Sequence, residues 1–156
     1  MSDIVFSDLY PVKNRLKGII PTASIWDTAP TNLERCTDLD WDTPTGTGDK
    51  VMGAAGDVGH ITFNMGAEYK VMIRGKIGIW TAIATAFYIY LDIWDGVNWV
   101  TNPYAIYYNV VSSERIGPLI TFNFKAQIFR LRFFLTAAGT GYVRLYEVQV
   151  IDLGMP

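Results

Sequence analysis

The chain has 156 residues, half of them hydrophobic and 18% charged, which suits one packed domain and excludes a disordered tail. Its formal net charge is −2 and no Lys/Arg run stands out, which excludes the electrostatics of a nucleic-acid binder. The one cysteine, Cys36, excludes an internal disulfide and fits synthesis in a reducing compartment.

From the N-terminus, Met1 to Tyr10 carries Asp3 and Asp8 and lacks an apolar run after a basic start. It reads as no signal peptide, so synthesis in the cytoplasm is expected. No stretch reaches the roughly 20 apolar residues of a membrane span. Residues 1–18 show no period and read as an N-terminal arm or edge segment, with the domain proper over 19–156. Ile19 to Ile25 reads as a strand broken by Pro21, hence an edge strand. Residues 27–59, rich in Gly, Pro, Asp and Thr, read as a long loop, the kind held by an ion or a partner.

Strand patterns follow. Gly59 to Asn64 is one, and in Tyr69 to Arg74 the alternation puts Tyr69, Val71 and Ile73 on one face. Ala86 to Ile93 is nearly all apolar and is expected to be buried on both faces. Asp95-Gly96 is a hairpin turn, with a returning strand over 98–109 interrupted at Pro103. In Gln127 to Leu135, Phe129, Leu131 and Phe133 face one way and Arg130 and Arg132 the other. Tyr142 to Ile151 is the last strand. Short strands at turn-marked intervals, without a helical period, predict an all-β sandwich or jelly roll.

Five segments carry a family resemblance: Cys36-Thr37-Asp38-Leu39-Asp40-Trp41-Asp42-Thr43, Gly59 to Gly66, Asp95-Gly96-Val97-Asn98-Trp99, Ala126 to Arg132, and Val143 to Val148. In that order they resemble the discoidin, or coagulation factor 5/8 type C, family over residues 20–152. The resemblance implies a galactose-binding-domain-like jelly-roll β-sandwich. The chain departs from the family pattern at Leu39, Asn64 and Gln127 and lacks the family's terminal cysteines. Fold alone does not name a ligand.

Asp38, Asp40, Thr43 and Glu147 form the candidate metal site. An Asp-x-Asp-x-x-Thr loop offers the oxygens that a hard cation such as Ca²⁺ needs. By simple alternation Glu147 shares a face with Val143 and Leu145, where a carboxylate requires a partner. In modules similar by the resemblance the matching positions hold a structural calcium. The alternative is an ion pair of Glu147 with an arginine such as Arg130 or Arg35, with the Asp side chains merely capping turns.

The resemblance places ligand loops at about 26–32, 76–84 and 111–118. Trp26 and Trp80 would stack on a sugar there, with Ser112 and Arg115 bonding hydroxyls. The nearly uncharged run Ile77 to Ala84 equally suits a buried subunit contact. His60 stands without a second His or Cys beside it, Asp92 and Asp95 read as turn acids, and no nucleophile–base pair is visible, so no enzyme is expected. Two functions compete. One is a non-enzymatic structural protein that forms a homo-oligomer or larger assembly, such as a virion, phage particle or surface layer. The other is a carbohydrate-binding module or lectin that takes a glycan on its loop aromatics.

Overall fold

The computed structural model describes residues 13–81, 85–102, 106–110, 114–119 and 121–154. Its strands are β1 (Thr22–Ser24), β2 (Gly48–Met52), β3 (Gly56–Thr81), β4 (Thr85–Trp94), β5 (Trp99–Thr101), β6 (Ile106–Val110), β7 (Arg115–Pro118), β8 (Phe122–Leu135) and β9 (Gly139–Asp152). A 3-10 turn spans Leu33–Thr37. All strand pairs are antiparallel, along the path β2-β9-β3-β8-β4-β5; β1 and β7 also pair with β3, and β6 with β4.

The length of β3 explains how one path makes a sandwich. Its first part, Gly56–Asn64, pairs with the C-terminal half of β8, and its second part, from Tyr69, pairs with β9, β7 and the start of β8. The register breaks between Asn64 and Tyr69, where Gly66 takes φ 84° and donates its N–H to Asn64 Oδ1. Glycine meets that left-handed angle without a Cβ clash, and the strand turns the corner there. Sheet I therefore holds β1, the first part of β3, the end of β8, and β4, β5 and β6. Sheet II holds β2, β9, the second part of β3, β7 and the start of β8.

Between the sheets lie Phe63, Phe129, Phe133, Phe87, Ile73, Ile79, Leu131, Leu145 and Val148, all fully buried. Phe63 stacks on Phe129 at 5.1 Å, and Phe87 meets Phe133 edge-on at 6.4 Å, the geometries aromatic quadrupoles favour. Leu16, ahead of β1, is also fully buried, and Asn14 bridges Ile151. The expected alternations in 69–74 and 127–135 hold, with Val71, Ile73, Phe129, Leu131 and Phe133 inside. β1 is an edge strand, paired with β3 alone among the described strands.

Two expectations fail at the level of strands. The stretch 27–59 is not a plain loop: it contains the 3-10 turn and β2, which Pro- and Gly-rich sequence masked. β4 is not buried on both faces. Phe87, Ile89 and Leu91 fill the core, while Tyr88 and Tyr90 lie half-buried on the outer face. Tyrosine's apolar body made the run look doubly buried, yet its hydroxyl suits a wetted face.

Candidate functional site

On the outer face of sheet II the register sets every functional neighbour. Trp80 lies opposite Tyr142, Gly78 opposite Arg144 and Lys76 opposite Glu147. Between Lys76 and Ile77 the pairing slips by one, so Tyr146 has no partner on β3 and forms a bulge. The bulge reverses the phase of β9. Val143 and Leu145 point into the core before it, and Val148 and Val150 do so after it. Glu147 and Gln149 are thereby re-aimed to the outer face, which corrects the expectation that Glu147 follows Val143 and Leu145.

Glu147 is nonetheless completely buried. The segment through the 3-10 turn covers it, with Cys36 and Thr37 buried and Lys76 Nζ donating to the Trp41 carbonyl at 3.0 Å. Gln149 Nε2 donates to Glu147 Oε2 at 3.0 Å, and Arg74 Nε holds Gln149 Oε1 at 2.7 Å. Glu147 Oε1 has no hydrogen-bond partner. Burial pushes this carboxyl up to about 7; the Gln149 bond and the approach of the Leu39 backbone N–H oppose the rise, and the charges of Asp38 and Asp40 add to it. Neither arginine expected as its partner is there: Arg130 pairs with Asp92, and Arg35 donates to the Pro44 carbonyl.

The loop acids close their own turns. Asp38 Oδ1 accepts the Asp40 N–H at 2.9 Å, and Asp40 Oδ1 accepts those of Asp42 and Thr43. These backbone bonds hold the Asp40 carboxyl below its ordinary range. Thr43 is exposed and turned to Asp40. Among the described residues no three His, Cys, Asp or Glu side chains form a ready metal group. The features that fit a hard cation are the orphaned Glu147 oxygen and the nearby charges of Asp38 and Asp40. Burial, then the nearby Glu147 charge, pushes the Cys36 thiol up to about 12, so it is an inert core group.

Beyond the cover, Trp80, Tyr142 and Arg144 are partly exposed. Trp80 and Tyr142 stack at 5.1 Å with a 9° interplanar angle, both half-buried. The Arg144 guanidinium lies 5.6 Å from the Trp80 ring and 5.7 Å from that of Tyr146, and Lys76 lies 4.7 Å over Tyr146. Arg144 Nε donates to Glu114 Oε1 at 2.5 Å and its Nη2 to Glu114 Oε2.

Of the other expected ligand residues, Trp26 lies elsewhere. Trp26 packs on the core rim: it lies 5.9 Å from Phe133, its indole covers Gly59, and its Nε1 donates to the His60 carbonyl at 3.1 Å. Ser112 lies outside the described residues. Arg115 is exposed at the start of β7, paired with Ile79. Residues 76–81 are strand rather than loop, as are 115–118. Within the run 77–84, Ile77 and Ile79 are buried in the core, Trp80 is half-buried on the outer face, and residues 82–84 lie outside the described residues.

Sequence reasoning missed Tyr142, Arg144 and Glu114. The alternation Tyr142-x-Arg144-x-Tyr146 was the available signal, though its meaning needed the β3–β9 register. It also missed the outer face of sheet I. There Asp92, only 1% exposed, accepts from Arg130 Nε at 2.8 Å, Arg132 Nε at 2.9 Å and Thr101 Oγ1 at 2.9 Å. Arg132 also reaches Asp57, which pairs with His60 at 3.1 Å. Arg130 lies 4.3 Å over Trp99 and Arg132 4.4 Å over Tyr90. Asp95 caps its own turn through the N–H groups of Val97 and Asn98. Asp92 and Asp95 are thus both committed to structure. Among the described residues no helix is long and apolar enough to cross a membrane.

No protein-family model and no curated protein matches the chain. Solved structures do. Chitosan-binding module 1 from a chitosanase/glucanase of Paenibacillus sp. IK-5 has 20% identity and a TM-score of 0.50, over 88% of this chain and 98% of that one. Module 2 of the same enzyme, solved with chitotriose, has 21% identity and a TM-score of 0.50, over 88% and 98%. Truncated AlyQ with CBM32 and alginate lyase domains has 15% identity and a TM-score of 0.51, over 93% of this chain and 34% of that one. The chain has the galactose-binding-like, discoidin-like jelly-roll fold that these structures share.

Proposed function

We propose that the domain is a carbohydrate-binding module whose glycan stacks against Trp80 on the partly exposed half of the outer face of sheet II. The observation that carries this is the half-buried Trp80–Tyr142 stack bordered by Arg144. Sugar rings present C–H faces to aromatic walls and hydroxyls to neighbouring charged groups, and this wall offers both. The likeness to chitosan-binding modules supports the reading. The alternative assembly role draws less from the run 77–84, since Ile77 and Ile79 are core residues. A glycan array probed with the wild-type chain and Trp80→Ala tests the proposal. Binding to at least one glycan class that vanishes in the variant supports it, and a blank array for the wild type overturns it.

A second element of the proposal concerns Glu147. Its orphaned buried oxygen favours a structural hard cation, calcium by ligand type, held by Glu147, Asp38 and Asp40 with loop carbonyls. The ion would supply the charge that the buried carboxylate lacks and pin the covering loop to the face.

A further inference from the structure

The partly exposed half of the sheet II face contains an arginine fork already holding a carboxylate. Arg144 grips Glu114 through both Nε and Nη2, the two-point geometry that matches guanidinium to carboxylate. Room for that carboxylate comes from Gly78. A Cβ on Gly78 would collide with Glu114 Oε1 and sit 3.3 Å from the Tyr146 ring. Glu114 fills the hollow over Gly78, with Trp80 and Tyr142 to one side and Tyr146, under Lys76, to the other.

We infer that this hollow is a carboxylate subsite for an acidic sugar, and that Glu114 is an internal occupant which the ligand's carboxylate displaces. The contrast with sheet I decides which ion pair can exchange. Asp92 is 1% exposed and accepts from three residues at once, so no ligand can take its place. The Glu114 and Arg144 side chains are 20% and 32% exposed, and Glu114 stands just before β7, outside regular structure. A hexuronate stacked on Trp80 would bring its own carboxylate to the same fork. The exchange is charge for charge and leaves no buried group unpaired. Lys76, bonded to the Trp41 carbonyl at 3.0 Å and 3.7 Å from Asp42, adds a second positive charge nearby.

The inference rests on the sugar-binding reading and narrows it to carboxylate-bearing sugars. The test is calorimetry with a galacturonate trimer and with its methyl ester, which keeps the shape and removes the charge. Glu114→Gln should raise the acid-to-ester affinity ratio about fivefold, because the ligand no longer competes with an internal carboxylate. Arg144→Gln removes the fork and leaves the Glu114 charge behind, so it should bring the ratio to one or below. Glu68→Gln, with the same change of net charge beside the β3 corner, should leave the ratio at its wild-type value. A ratio unmoved by Glu114→Gln, or moved equally by Glu68→Gln, overturns the inference while neutral glycans still bind. If no glycan, acidic or neutral, binds any of these proteins, the sugar-binding reading falls with it.

Discussion

Glu147 offers the sharpest energetic test. Its carboxyl is fully buried, has one oxygen without a partner, and is pushed from an ordinary 4.5 up to about 7, foremost by burial. Between those two values the folded protein binds a proton that the unfolded chain has released. Stability in chelator should therefore fall as pH rises from about 4.5 to 7 and then level off. At about 1.4 kcal/mol per unit, the loss amounts to up to about 3 kcal/mol. Glu147→Gln has no proton to lose. It should be flat across the window and more stable than the wild type at pH 8 in chelator. Calcium at pH 8 should restore the wild type and leave the variant unmoved. Urea denaturation at half-unit pH steps, with chelator or with calcium, reads all of this. A wild-type profile that is flat between pH 4.5 and 7, or a Glu147→Gln profile that falls as steeply, would refute the electrostatic account of this residue.

Asp92→Asn leaves Arg130 and Arg132 without their shared carboxylate and should cost about 3 kcal/mol or more in a urea melt. Burial pushes the Asp92 carboxyl up, but the Arg132, Arg130 and Thr101 bonds outweigh it and hold the group below its usual 3.8. Its stabilisation is therefore present above that value and lost as pH falls below it, in the wild type but not in Asp92→Asn. Gly59→Ala drives a Cβ into the Trp26 indole and should cost about 1–3 kcal/mol, with a change in tryptophan emission as the readout. Trp80→Ala removes a half-buried ring and should lower stability far less than it lowers glycan affinity, which differential scanning calorimetry and a glycan titration would compare.

Local pattern made the core strands legible. Period-two alternation in 69–74 and 127–135 marks which side chains enter the sandwich, and Asp95-Gly96 marks its turn, because each signal is confined to a few neighbouring residues. The site was less legible, since its geometry comes from contacts distant in sequence. The facing of Glu147 depends on a one-residue bulge at Tyr146, and a slip of one residue exchanges the two faces of a strand. Trp26 looked like a loop platform because nothing local shows that Gly59, 33 residues on, leaves room for its ring. Arg144 and Glu114 meet across β3 over Gly78, a pairing that exists only once β7 and β9 flank that strand. Asp38, Asp40 and Glu147 could be associated beforehand because the family resemblance brought them together.

The central claim is that a glycan is held at Trp80. A ¹⁵N-detected titration of the whole chain with chitotriose and with the galacturonate trimer tests it most directly. The account predicts that one of these moves the Trp80 indole N–H and the backbone signals of Tyr142 and Arg144 first, leaving the Trp26 indole, bonded to the His60 carbonyl, nearly still. Shifts centred on the sheet I face around Arg130 and Trp99, or none at the Trp80 indole with a sugar that the array shows to bind, would contradict it.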